Sequence, residues 1–157
     1  MELLQLWGDS PVAAALRQPG LLYPLLSATH ILALGVLVGS ITILDLRLLG
    51  LFGEASLQAW ATPLIRVAAV GLVAAIATGL LLFSVKPTDY AVNPAFLAKL
   101  AFIIVGAVNA MWLRFRPGWR AALDGGKIQR DVKLAAALSL TMWVSAVFAG
   151  RWIAFID

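Results

Sequence analysis

The sequence contains no cysteine, only one histidine and few charged residues. The absence of cysteine excludes disulfide bonds and metal sites or clusters held by thiolates. Only 13% of the 157 residues are charged and 62% are hydrophobic, whereas a soluble domain has roughly 25% charged and about 45–50% apolar residues. The mean hydropathy is +0.93. This composition excludes an ordinary soluble fold and predicts a membrane protein.

Four apolar segments are long enough to cross a bilayer, which requires about 20 mainly apolar residues per helix. They cover residues 22–49, 63–84, 94–115 and 132–156. A capping residue followed by proline, a pattern typical of helix starts, occurs at Ser10–Pro11, Thr62–Pro63 and Asn93–Pro94. The predicted fold class is all-α. Residues 1–157 form a single domain, an integral membrane bundle of four transmembrane helices with a short N-terminal interfacial helix.

Lysine and arginine are concentrated between the third and fourth segments. Six of the twelve lie there: Arg114, Arg116, Arg120, Lys127, Arg130 and Lys133. Loops rich in these residues tend to remain cytoplasmic, which predicts a bacterial inner-membrane protein with both termini in the periplasm. This topology accounts for the net charge of +4. No motif interleaves aromatic residues with these cations, so the expected partner is the lipid bilayer and not nucleic acid.

Three polar side chains are predicted in the outer half of the bundle, namely His30, Lys99 and Arg151. His30 lies about 12 Å along the first helix, and ionisable groups at such depths are often functional. In one interpretation His30 is an axial ligand of a haem iron, and Lys99 and Arg151 pair with the propionates. In the other, His30 makes an interhelical hydrogen bond, and the two cations extend to the headgroups.

The haem interpretation requires more than His30. Trp143 lies near the middle of the fourth segment, where it could stack on a planar ligand, pack in the core or face lipid. Met142 and Met111 lie deeper than His30, so the iron would be five-coordinate or would take a second His30 from another copy. Gly35 and Gly39 form a GxxxG pair that favours close helix contact, within the bundle or in a homo-oligomer.

A second polar group is predicted in the inner half of the bundle. It consists of Asp45, Arg47, Arg66 and Asn109. Asp45 has a short side chain that cannot easily extend to the headgroups, so an inner-side partner is expected for it. A buried salt bridge or helix cap is one interpretation of this polar network, and a proton relay is the other.

The segment from His30 to Asp45-Leu46-Arg47-Leu48-Leu49, the Asn93-Pro94-Ala95-Phe96-x-x-Lys99 motif, Asn109 and Gly150-Arg151-x-Ile153-Ala154 resemble an uncharacterised family of small four-helix bacterial inner-membrane proteins. More loosely, the early histidine resembles CopD-type and HemJ-type haem-associated membrane proteins. That resemblance implies haem b, electron transfer or haem-linked oxidation, and a redox partner. The chain has Arg114 where such proteins have a second histidine.

The sequence contains no phosphate-binding loop, no paired carboxylates at one depth and no base for a serine nucleophile other than His30, so an ordinary hydrolase is not expected. The alternative to a haem protein is a non-enzymatic membrane subunit or a small-solute transport accessory. In that case the polar residues would serve packing and partner contact.

Overall fold

The computed structural model describes residues 2–52 and 56–156, and their regular structure is helical. The α-helices are α1 (Glu2–Gly8), α2 (Pro11–Arg17), α3 (Leu22–Leu49), α4 (Leu57–Phe83), α5 (Pro87–Val92), α6 (Pro94–Arg114), α7 (Pro117–Leu123) and α8 (Arg130–Trp152), and a 3₁₀ turn covers Ile153–Phe155. This arrangement confirms the predicted all-α class.

Helices α3, α4, α6 and α8 are long and apolar enough to cross a membrane. Most of their large apolar side chains are exposed, as expected for a surface covered by lipid. The protein is a multi-pass membrane protein. Because consecutive spans run in opposite directions, one end of the bundle carries α1, α2 and α5, and the other carries α7. We call the first the terminal end and the second the basic end.

The four spans pack in the order α4, α3, α8, α6. Helix α3 packs against α4 and α8, and α8 also packs against α6. Among the residues described, the backbones of α4 and α6 do not pack against each other. Their contact at the terminal end is made by side chains, where Phe83 of α4 stacks on Phe96 of α6.

Small residues allow α3 and α4 to approach closely. A Cβ atom on Gly71 would lie 2.7 Å from the backbone nitrogen of Leu37, a distance that no side chain tolerates without movement of the backbone. Ala75, one turn further along α4, is also buried. By contrast, a Cβ atom on Gly35 or Gly39 would have no neighbour within 4 Å. Gly71 and Ala75 therefore form the contact of α4 with α3, and the Gly35 and Gly39 pair of α3 faces away from that contact.

Aromatic rings hold the short helices against the terminal end. Trp7 of α1 meets the ring of Phe83 edge-on, with centroids 5.4 Å apart, and Phe96 stacks on the same ring at 5.4 Å. Tyr90 of α5 lies 6.1 Å from Phe83. Burial of its phenol raises the pKa of Tyr90, and the neighbouring phenol of Tyr23 raises it further.

The second span begins earlier than the Thr62–Pro63 motif predicts. Helix α4 starts at Leu57, because Ser56 acts as the N-cap and its Oγ accepts a hydrogen bond of 3.2 Å from the backbone N–H of Ala59. Pro63 lies inside the helix. The other two motifs do cap helices, since Ser10 precedes α2 and Asn93 precedes α6.

Candidate functional site

His30 of α3 is fixed in orientation by α4. Its Nδ1 lies 2.8 Å from Oγ1 of Thr78, and that hydroxyl group lies 2.7 Å from the carbonyl oxygen of Ala74. A hydroxyl group has one hydrogen to donate, and here the Ala74 carbonyl accepts it. Thr78 Oγ1 therefore accepts a hydrogen bond from the N–H at Nδ1. In this tautomer the lone pair available for a ligand is on Nε2.

The Ala75 carbonyl oxygen lies 3.3 Å from the Thr78 hydroxyl group and is a second acceptor for its hydrogen. The ring lies against Gly79, where a Cβ atom would approach Cε1 of His30 to 3.2 Å. The small stripe Gly71, Ala75 and Gly79 thus brings α4 close enough to both position and orient the imidazole.

Lys99 of α6 is a charged side chain that interacts electrostatically with His30. The Lys99 side chain is half-buried and runs over Gly150 of α8, where a Cβ atom would lie 3.3 Å from Cδ and 3.6 Å from Nζ. Within residues 2–52 and 56–156 no hydrogen bond or ion pair involves this ammonium group.

The structure separates Arg151 from this pair. Arg151 is exposed, and its guanidinium lies 4.9 Å from the ring centroid of Phe155. Gly150 faces Lys99 and α6, and the next residue of a helix points about 100° away. Lys99 thus lies within electrostatic range of His30, whereas the guanidinium of Arg151 is over the ring of Phe155.

Trp143 is a core residue and does not lie beside His30. It is 4% exposed and packs on Gly106 of α6, whose Cβ position is 3.1 Å from the indole Nε1. It lies seven residues before Gly150, about 10 Å further toward the basic end. Among the described residues its Nε1 has no hydrogen-bond partner. Packing is thus the observed role of this side chain.

The predicted inner polar group is dispersed over the basic half of the bundle. Asp45 is 5% exposed and faces the hydroxyl group of Ser139 on α8, and its Oδ2 has no hydrogen-bond partner among the described residues. The side-chain amide of Asn109 donates instead to the Ala135 carbonyl oxygen at 2.9 Å. Arg66 is exposed, and no ion pair joins it to Asp45 in the described chain.

Arg47, the remaining member of that group, is half-buried in the last turn of α3. Asp45 and Asn109 both contact α8. In the described chain Arg66 makes no hydrogen bond or ion pair with either of them.

Sequence reasoning did not identify Thr78, Gly79 or Gly150 as members of the site. Depth would have indicated Thr78, which lies five residues before Phe83, the end of α4, while His30 lies eight residues after Leu22, the start of α3. Gly79 belongs to a small stripe visible in the sequence. Gly150 carries no signal of its own, because its importance depends on which side of α8 faces α6.

A family of unknown function, DUF6644, matches residues 17–156. The chain belongs to this family. The match covers all four spans as well as His30, Thr78 and Lys99. No curated protein and no solved structure matches the chain. The comparisons therefore show a family of unknown function, and they do not show similarity to CopD-type or HemJ-type proteins.

Proposed function

We propose that this DUF6644 protein binds b-type haem, with Nε2 of His30 as an axial ligand of the iron and Lys99 as the partner of a propionate. The observation that carries the proposal is the hydrogen bond between His30 Nδ1 and Thr78. Histidines that bind metals typically donate their other ring N–H to an acceptor, which fixes the tautomer and the ring orientation. His30 has this arrangement.

The lone imidazole favours a cofactor that brings most of its own ligands. Among the described residues, no three or more His, Cys, Asp or Glu side chains form a group that could hold a metal ion. A bare metal ion would therefore lack protein ligands here, whereas haem supplies four nitrogen ligands and needs one or two more. Since the sequence has one histidine, a second imidazole would come from another copy of the chain.

Lys99 gives the site a reason to prefer an anionic cofactor. A half-buried ammonium group without an anionic partner is costly in an apolar environment, and a propionate would offset that cost. The backbones of α4 and α6, which carry Thr78 and Lys99, do not pack against each other. A ligand between them would lie beside the stacked rings of Phe83 and Phe96, which join the two helices nearer the terminal end.

Bound haem would supply a one-electron iron couple suited to electron transfer or haem-linked oxidation. In this proposal His30 binds the iron, Thr78 keeps the hydrogen at Nδ1 and Lys99 balances the carboxylate charge. The basic end faces the cytoplasm of a bacterial cell. Both termini and the haem are then on the periplasmic side of the inner membrane, where a redox partner would reach them.

The test is titration of apoprotein in mild detergent with haemin, followed by absorption spectroscopy. Wild type is expected to bind in stoichiometric amount. Thr78→Val removes the acceptor but keeps the side-chain shape, and it should weaken binding by about 10–100-fold, as loss of such a partner typically does. Lys99→Ala should loosen haem retention without changing the ligation spectrum.

Arg151→Ala is the matched control, because it removes an exposed cation of α8 whose guanidinium lies over the ring of Phe155. It should leave both retention and spectrum unchanged. If Arg151→Ala and Lys99→Ala have equal effects, the assignment of the propionate to Lys99 is wrong.

A non-enzymatic membrane subunit is the second candidate, and one observation favours it. The bond between His30 and Thr78 joins α3 to α4 and by itself serves as an interhelical contact. If wild type binds no haem when haem is supplied, while His30→Ala and Thr78→Val both lower the thermal unfolding midpoint, this second function is the better account.

A further inference from the structure

A cavity at the basic end, opposite the His30 site, is flanked by α4, α6 and α7. Its volume is about 290 Å³. Arg66 of α4 and Arg114 of α6 both line it, together with Thr62, Ile65, Trp119 and Leu123. The site therefore combines two guanidinium groups with apolar side chains and one tryptophan.

The two arginines of this cavity have no counter-ion in the described chain. Neither Arg66 nor Arg114 makes a side-chain hydrogen bond or an ion pair within residues 2–52 and 56–156. Two like charges that line one small cavity repel each other. An anion between them would remove this repulsion, and guanidinium groups are suited to bidentate contact with phosphate oxygens.

The surroundings of the arginines are those of a membrane surface. Arg114 is the last residue of α6, and Trp119 follows on α7, so the cavity lies where a span ends. Tryptophan is enriched at the level of lipid headgroups. Ile65 and Leu123 provide the apolar part of the lining.

We propose that this cavity binds the phosphate of an anionic phospholipid through Arg66 and Arg114, with the start of an acyl chain against Ile65 and Leu123. A free phosphate would use the arginines but not the apolar side chains. A lipid uses both. Basic pockets between transmembrane helices on the cytoplasmic side commonly bind such headgroups.

Native mass spectrometry of the full-length protein with added phosphatidylglycerol tests this inference. Wild type is expected to retain bound phosphatidylglycerol more strongly than phosphatidylcholine with the same chains. The double variant Arg66→Gln/Arg114→Gln should bind it at least about tenfold more weakly, because each arginine near an anionic headgroup contributes about fivefold. Both arginines are exposed, so the variant should fold, and its thermal unfolding midpoint checks this.

The matched control is Arg120→Gln/Arg130→Gln, which removes two exposed arginines of the same end that do not line the cavity. It should retain phosphatidylglycerol as wild type does. The lysine pair Arg66→Lys/Arg114→Lys keeps the charge and should recover most of the binding.

Two results would overturn the inference. Equal losses in the control and in the cavity variant would show general attraction to a basic surface. Displacement of the bound lipid by millimolar inorganic phosphate would show a site for free phosphate.

Discussion

Replacement of single glycines by alanine is the sharpest test of the packing that positions His30. At Gly71 the new Cβ atom would lie 2.7 Å from a backbone nitrogen of α3, whereas at Gly79 it would meet the His30 ring at 3.2 Å. At Gly35 nothing lies within 4 Å. The three positions therefore form a graded series on two adjacent helices.

The magnitudes follow from two opposing effects. Alanine in a helix is favoured over glycine by roughly 0.5–1 kcal/mol, and overpacking a tight contact costs about 1–3 kcal/mol. Gly71→Ala should therefore be clearly destabilising, since a backbone cannot move away as a side chain can. Gly79→Ala should cost less and displace the imidazole by a few tenths of an ångström. Gly35→Ala should be neutral or slightly stabilising.

Thermal unfolding in mild detergent, followed by circular dichroism, measures the series. The expected order of midpoints is Gly35→Ala highest and Gly71→Ala lowest. Equal midpoints for Gly71→Ala and Gly35→Ala would refute the α3–α4 interface. If Gly35→Ala is instead strongly destabilising, that face of α3 is packed by another copy of the chain.

Three further predictions concern buried or half-buried polar groups. Asp45→Asn should keep the unfolding midpoint, because the carboxyl group faces the hydroxyl of Ser139 and its Oδ2 has no hydrogen-bond partner among the described residues, and a large loss would reveal a charged partner. Asn109→Ala should cost about 0.6–1.7 kcal/mol, the range for hydrogen bonds between membrane helices, through loss of the bond to Ala135, and an unchanged midpoint would argue against that bond. Since burial raises the pKa of Tyr90, the phenol should stay neutral above pH 10 and folding stability should fall as pH rises beyond that value. The difference in absorbance at 295 nm between wild type and Tyr90→Phe measures its titration, and ionisation at the pH of free tyrosine would contradict the burial.

The four long apolar helices could be predicted because they depend on local composition, whereas the short helices α5 and α7 were not predicted. Residues 22–49 form α3 as the hydropathy indicated. Helix α4 starts earlier than the Thr62–Pro63 motif predicts because Ser56, six residues before Thr62, is also a capping residue. Sequence pattern alone could not choose Ser56, since Pro63 is tolerated inside the helix.

The sequence predicts how deep each candidate site residue lies along its helix, but it does not predict which neighbouring helix the side chain faces. Depth placed His30, Lys99 and Arg151 in the same half; in the structure Lys99 lies within electrostatic range of His30, and Arg151 lies over the ring of Phe155. Which side of α8 faces α6 decides between Gly150 and Arg151, and helix packing determines that side. The position of Trp143 near the middle of its span could also be predicted from the sequence. Its contact with Gly106 could not, because that contact depends on which sides of α6 and α8 face each other.

The measurement that tests haem ligation most directly is rescue of a His30→Gly variant by free imidazole. Glycine leaves a space for the ring and removes the axial ligand, so the variant reconstituted with haemin should lose the wild-type absorption spectrum. Added imidazole should restore that spectrum, whereas added benzene, which has no nitrogen ligand, should not. If wild type and His30→Gly have identical haem occupancy and spectra without imidazole, His30 is not the ligand and the central claim is wrong.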